Sequence, residues 1–113
     1  MRLKSESYAS RIVKLYRFVH GQGETIVSRQ IYRSGISIGA NIAEATNAQS
    51  EADFISKLSI ALKEANETEY WLKTLFNGGF IDKHGFLSMK EDNDELIKML
   101  VCSIKTMKKN AKK

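Results

Sequence analysis

Residues 54–75 read FISKLSIALKEANETEYWLKTL, and this stretch decides the fold class. Apolar or small side chains recur in it at alternating steps of four and three, at Phe54, Leu58, Ala61, Ala65, Thr68, Leu72 and Leu75. Such spacing is typical of one face of an α-helix. Ser50 and Asp53 have the spacing of a capping box before it, and Gly78-Gly79 can end it. The sequence therefore predicts a helix over residues 51–77, roughly 40 Å long.

Three further amphipathic stripes occur outside this helix. They consist of Tyr8, Ile12, Leu15 and Val19; of Val27, Ile31, Ile38, Ile42 and Ala45; and of Ile97, Leu100, Val101, Ile104 and Met107. They predict helices over residues 5–20, 25–46 and 89–110. The last of these is expected to begin at a second capping box, Ser88 to Glu91, after a partly apolar connection.

Four amphipathic helices joined by short connections can bury their apolar stripes only against one another. The sequence therefore predicts an all-α protein, an antiparallel up-down-up-down four-helix bundle that forms a single domain over residues 1–113. The chain contains no proline, which favours long helices. No segment alternates with the period of two that a half-buried strand requires.

Composition excludes several classes of protein. The single cysteine, Cys102, rules out an internal disulfide and any multi-cysteine metal site, and it is expected to be a small buried side chain. The longest uncharged stretch is the ten residues from Ser34 to Ala43, too short to cross a membrane. No signal peptide is readable, so a cytoplasmic location is expected. No catalytic constellation is visible, and we expect no enzymatic activity, metal, cofactor or small-molecule substrate.

Basic residues outnumber acidic ones by 18 to 13, and they are unevenly placed. In an antiparallel bundle the first and fourth helices are neighbours, which predicts one basic face with Arg11, Lys14 and Arg17 near Lys98 and Lys105. This face could contact the phosphates of a nucleic acid. Alternatively, the lysines after Lys98 could belong to a solvated end that frays from Lys108 to Lys113.

The second helix contains residues that are unusual in mid-helix. Gly35 and Gly39 each cost about 1 kcal/mol relative to alanine, which indicates close packing within the bundle or against another subunit. Asn41 and Glu44 could form a hydrogen-bonded pair that caps the turn into the third helix, or could contact a ligand or RNA. Arg29 and Arg33 form a basic edge on the same helix. They could bind nucleic acid, or form salt bridges with glutamates of the third helix.

This region carries a resemblance to a known bacterial family. The residues concerned are Gln30, Arg33, Ser37-Ile38, Asn41-Ile42-Ala43-Glu44, Phe54, Leu58, Ile60-Ala61 and Glu67. They resemble the signature of the four helix bundle proteins, also called 23S rRNA intervening-sequence proteins. That family includes the accessory variability determinant protein of diversity-generating retroelements. The resemblance covers residues 5–109.

The resemblance implies an antiparallel four-helix bundle that assembles into a ring-like homopentamer. It also implies a basic surface and, in the retroelement branch, binding to RNA or to a reverse transcriptase. Many members of the family have proline where Gly39 stands. The basic residues that usually follow the motif are replaced by Asn47-Ala48-Gln49-Ser50, which weakens a nucleic-acid role at this turn.

Two functional hypotheses follow from these observations. The first is a non-enzymatic, oligomeric bundle that binds RNA or an RNA-handling partner through its basic face. The second is an assembly or scaffold protein with no nucleic-acid contact, whose basic face serves solubility or binds an acidic protein.

Overall fold

A computed structural model describes residues 1–111 of the chain. It contains four α-helices: α1 (Arg2–Gly21), α2 (Val27–Ala45), α3 (Glu51–Asn77) and α4 (Lys83–Ala111). Consecutive helices pack against each other, and α1 closes the bundle against α4. The bundle measures 51 × 21 × 20 Å, and the described residues contain no strand. The predicted all-α four-helix bundle is confirmed.

The predicted apolar stripes of α1, α2 and α3 form most of the core, with Leu15, Val27 and Phe54 half-buried and packed against it. The largest fully buried apolar side chains are Tyr8, Ile12 and Val19 from α1, Ile31, Ile38 and Ile42 from α2, Leu58, Leu72 and Leu75 from α3, and Leu96 and Leu100 from α4. Each helix therefore buries one face, and the charged side chains are left on the outside or at the edges of the helix contacts.

Helix α3 begins and ends close to the predicted residues. The backbone N–H of Asp53 donates to the Ser50 hydroxyl at 3.0 Å. The Asp53 carboxylate accepts from the Gln49 N–H at 3.3 Å, so the reciprocal bond reaches one residue beyond the N-cap. At the other end Gly79 has φ of 82°, and the Phe80 N–H donates to the Leu75 carbonyl at 2.9 Å. This left-handed turn ends the helix.

The predicted start of the fourth helix is wrong. Helix α4 begins at Lys83, because the Asp82 carboxylate accepts from the Gly85 N–H at 2.7 Å and caps the first turn. Gly85 is therefore part of the helix rather than part of the connection. Ser88 is already in the second turn, where its hydroxyl accepts from Arg11 instead of capping.

The buried stripe of α4 also differs from the prediction. The buried residues are Met89, Asn93, Leu96, Leu100 and Ile104, whereas Ile97, Val101 and Met107 are only half-buried. Cys102 is exposed, which contradicts its expected burial. It follows Leu100 and precedes Ile104 by two residues, so it points about 200° around the helix from both. Helix α4 continues through Lys108 and Lys109, and the end of the predicted fraying segment, 112–113, lies outside the described residues.

The two mid-helix glycines of α2 have different surroundings. A Cβ atom on Gly35 would lie 2.7 Å from the side chain of Ile12, so α1 and α2 approach closely there. A Cβ atom on Gly39 would meet Ser5 at 3.6 Å, an ordinary contact. Packing within the bundle therefore requires glycine at position 35 but not at position 39.

Two polar contacts cross the core. The Thr68 hydroxyl donates to the Ser34 hydroxyl at 2.8 Å and joins α3 to α2. The side-chain amide of Asn93 donates to the Ala65 carbonyl at 2.9 Å and joins α4 to α3. All three side chains are fully buried. Because buried polar groups are costly when unpaired, these bonds favour one register of the helices.

Candidate nucleic-acid interface

Three ion pairs connect α1 to α4. Lys4 Nζ lies 2.7 Å from an Asp92 carboxylate oxygen and 2.8 Å from one of Glu95. Arg11 lies 2.6 Å from the other oxygen of Asp92, and it also donates to the Ser88 hydroxyl at 2.8 Å. The charge of Arg11 is therefore compensated inside the bundle. Of the three predicted basic residues of α1, only Lys14 and Arg17 are left exposed.

These contacts shift the ionisation of Asp92 and Lys4. Partial burial acts to raise the pKa of Asp92, but hydrogen bonds from Lys4 and Arg11 outweigh it and hold the pKa below its ordinary value. The same bonds from Lys4 to Asp92 and Glu95 raise the pKa of Lys4. Burial beside this contact raises the pKa of the Tyr8 hydroxyl. Asp92 is therefore ionised at neutral pH and stabilises the contact between the two helices.

The predicted single basic face does not form as expected. The pairs Lys4–Glu95 and Arg11–Asp92 fix an antiparallel register in which Arg11 is level with residues 88–92. Lys105 follows Asp92 by 13 residues, which places it about 20 Å farther along α4 and beyond the N-terminus of α1. Lys98 is about 120° around α4 from Asp92 at 100° per residue. The sequence pattern correctly made the helices neighbours but did not supply their register.

Two separate basic patches result. The α1 patch consists of Lys14 and Arg17, and the α4 patch consists of Lys98, Lys105, Lys108 and Lys109. All six side chains are exposed, and no ion pair reaches any of them from residues 1–111. Positive charge that is not paired within the chain is available to anions in solution.

The basic edge of α2 is divided as well. Arg33 pairs with Glu64 at 3.3 Å and with Glu67, both on α3. The expectation that this arginine forms salt bridges with glutamates of the third helix is therefore confirmed. Arg29, one turn earlier, is exposed, and residues 1–111 contribute no ion pair to it.

The motif residues Asn41 and Glu44 have different partners. The Asn41 side-chain amide donates to the Ser37 carbonyl at 2.9 Å and approaches the Ser37 hydroxyl at 3.1 Å. The exposed carboxylate of Glu44 lies 3.1 Å from Lys57 Nζ on α3. The structure therefore does not show the predicted pair of Asn41 with Glu44. Glu44 links the end of α2 to α3, whereas Asn41 bonds within its own helix.

The sequence patterns did not indicate two of the polar arrangements. The Glu24 carboxylate accepts from the backbone N–H groups of Ile26, Val27 and Ser28, at 3.0, 2.9 and 2.6 Å. Burial opposes ionisation of Glu24, but these bonds prevail and lower its pKa. The second arrangement is the acidic pair Asp92 and Glu95. Their spacing of three residues puts them on one face of α4. That they face Lys4 and Arg11 follows only from the register of α4 against α1.

Two further properties concern the described part of the chain. No group of three or more histidine, cysteine, aspartate or glutamate side chains within residues 1–111 is placed to hold a metal ion. Among these residues, no helix combines the length and apolar character that a membrane-spanning segment needs.

Comparison with known proteins agrees with this architecture. No curated protein matches the chain. The chain is similar to the crystal structure of a protein of unknown function from the S23 ribosomal protein family of Bacteroides thetaiotaomicron, with 54% identity and a TM-score of 0.90. The match covers 92% of this chain and 97% of the other. The profile of the 23S rRNA-intervening sequence proteins matches residues 2–102. The chain therefore belongs to the 23S rRNA-intervening sequence protein family.

Proposed function

We propose that this protein is a cytoplasmic, non-enzymatic bundle that binds RNA, or a partner that handles RNA, through its exposed basic side chains. The observation that carries the proposal is the distribution of unpaired charge. Within residues 1–111, eight of the thirteen acidic side chains form an ion pair but only six of the basic ones do, and six of those acids, among them Asp92, Glu64 and Glu67, pair with another helix. The α4 patch follows the last acidic residue of the chain, Glu95.

The mode of binding follows from the side chains available. Lysines on a helix contact phosphates as point charges and carry no base specificity of their own. Of the aromatic side chains, Tyr8 is buried, and Phe76 stacks on Phe86 with ring centroids 4.9 Å apart. These side chains serve packing, and the exposed aromatic side chains, Phe18, Tyr32 and Tyr70, lie on α1, α2 and α3 and not on α4 with its patch of lysines. Recognition is therefore led by the RNA backbone and is weakly dependent on sequence.

The experiment is a salt series with fluorescein-labelled single-stranded RNA, measured by anisotropy. The logarithm of the affinity is expected to fall linearly with the logarithm of salt concentration, by about 0.7 per phosphate neutralised. Absence of RNA binding at about 50 mM salt, a condition that favours electrostatic contacts, would leave the assembly function as the better account.

Assembly is the second candidate, and exposed apolar side chains favour it. Leu3 is 75% exposed, Ile26 74% and Tyr70 62%. Leu3 lies on α1, Tyr70 on α3 and Ile26 directly before α2, and burying such large exposed side chains against another protein surface is favourable. We propose a cyclic homo-oligomer, with the five subunits that the family resemblance implies, whether or not RNA is bound. A reverse transcriptase is the RNA-handling partner that the same resemblance implies.

Light scattering tests the assembly directly. At roughly tens of micromolar protein, the expected result is a mass of several subunits. A monomer at that concentration would contradict the oligomer. It would not contradict RNA binding, which the salt series tests separately.

A further inference from the structure

A groove of about 700 Å³ lies between the C-terminal half of α1 and the start of α4. Its apolar lining consists of Leu15, Phe18, Phe80, Ile81 and Met89. Phe18 forms part of one edge and is 60% exposed, so the groove is open along that side. An open trough suits a segment of chain that lies across it better than a small molecule, which is normally enclosed on most sides.

Hydrogen bonds join the two walls of the groove near each of its ends. At one end Arg11 bonds to Ser88 and Asp92 of α4. At the other end the side-chain amide of Gln22 donates to the Phe80 carbonyl at 3.0 Å. The distance along α1 from Arg11 to Gln22 is about 16 Å at 1.5 Å per residue. This length matches three turns of an α-helix.

The edge opposite α1 is held in place by several backbone bonds. The Phe80 N–H donates to the Leu75 carbonyl and the Phe86 N–H to the Asp82 carbonyl, both at 2.9 Å. Gly79 takes the positive φ that this turn requires. A partner therefore meets a preformed surface, and little ordering of this edge opposes binding.

The charges beside the groove are predominantly positive. Lys14 lines it, and Arg17 lies outside the lining, three residues farther along α1; both are exposed and unpaired within residues 1–111. The one acidic lining residue, Asp82, keeps its negative charge but caps α4, where the positive end of the helix dipole partly offsets that charge. The α1 edge therefore complements carboxylates, while the floor complements large apolar side chains.

We propose that this groove docks an acidic amphipathic α-helix of a partner protein. About three turns of that helix lie between Arg11 and Gln22. An aromatic or aliphatic side chain packs on Phe18, and carboxylates face Lys14 and Arg17. The proposal does not depend on RNA binding, because the α4 patch lies outside the groove.

The test uses a fluorescein-labelled synthetic peptide of about 14 residues, with leucines on one helical face and glutamates on the other. A second peptide carries lysine in place of every glutamate. Binding is followed by anisotropy and by amide chemical shifts of the labelled protein. The acidic peptide is expected to bind and to shift amides of the groove. Phe18→Ser is expected to weaken binding about tenfold, as when an apolar anchor leaves an interface.

Tyr32→Ser provides the matched control, because Tyr32 is an aromatic residue that is 40% exposed and lies on α2, outside the lining of the groove. It is expected to leave peptide affinity unchanged, with both variants checked for folding by circular dichroism. The proposal is overturned if the acidic peptide does not bind, or if the basic peptide binds as well. Equal effects of Phe18→Ser and Tyr32→Ser would also overturn it, as would groove shifts caused by single-stranded RNA and not by the peptide.

Discussion

Gly35 of α2 lies so close to Ile12 of α1 that a methyl group on the glycine would be 2.7 Å from the Ile12 side chain. Ile12 is fully buried, and the atoms that would clash include both branches at its Cβ atom, so a rotation of the side-chain tip does not relieve the contact. The two helices can take their observed separation only with glycine at this position. This close contact with Ile12 thus explains why glycine, which helix propensity disfavours, stands at position 35.

We predict opposite outcomes for alanine at the two glycines of α2. Gly35→Ala should lower the free energy of unfolding by about 1–3 kcal/mol, because overpacking outweighs the gain in helix propensity. Gly39→Ala should be neutral or should raise it by up to about 1 kcal/mol, since its Cβ has room beside Ser5. Urea unfolding followed by circular dichroism measures both. Equal effects at the two positions would contradict this account of Gly35.

The Asp92 contact predicts a dependence of stability on pH. The pKa of Asp92 is lowered in the folded protein, so its contribution is complete above the ordinary carboxyl value and is lost as pH falls through the folded pKa. Asp92→Asn should therefore be less stable than the wild type at neutral pH. The difference should shrink as the pH is lowered below the ordinary value of 3.8.

Glu91→Gln is the matched control for this measurement. Glu91 is exposed and has no ion pair within residues 1–111, so its replacement should change stability little at any pH. Denaturant unfolding at a series of pH values separates the two variants. A difference between Asp92→Asn and wild type that does not vary with pH would exclude the ionic origin of the contact.

The buried hydroxyl pair predicts coupling between α2 and α3. Thr68→Val removes the donor to Ser34 and should lower the free energy of unfolding by about 1–3 kcal/mol, because a buried group loses its partner. Ser34→Ala in the same protein should recover part of that loss. A double-mutant cycle should give a coupling of about 0.5–1.5 kcal/mol. Strict additivity of the two substitutions would show that the bond contributes nothing.

The sequence predicts the architecture well because helix periodicity is a local property. The spacing from Leu58 to Leu75 identifies both the helix and its buried face without reference to the rest of the chain. The start of a helix is harder to predict from sequence than its buried face. Ser88 and Glu91 fit a capping box, yet Asp82 caps α4, and the helix includes Gly85 in its first turn. Local sequence patterns do not decide between the Asp82 and Ser88 caps, because the choice depends on how the connection between α3 and α4 packs.

The candidate site is less predictable because it depends on relative positions of helices. The positive charges of Lys98 and Arg11 are evident from the sequence. The distance between them is not, because it depends on the register of α4 against α1. That register is set by contacts such as Lys4 with Glu95 and Arg11 with Asp92. Sequence patterns within one helix contain no information about them. The groove at Phe18 has the same origin, since residues of α1, of the α3–α4 connection and of α4 line it together.

The salt dependence of RNA binding by charge variants tests the central claim most directly. Lys98→Gln with Lys105→Gln removes two exposed lysines from the α4 patch, and Lys63→Gln with Lys73→Gln removes two exposed lysines from α3. The α4 variant should bind single-stranded RNA more weakly and should reduce the slope of log affinity against log salt by about 1.4. The α3 variant should keep the wild-type slope. Equal slopes for wild type and both variants would contradict RNA binding through the α4 patch.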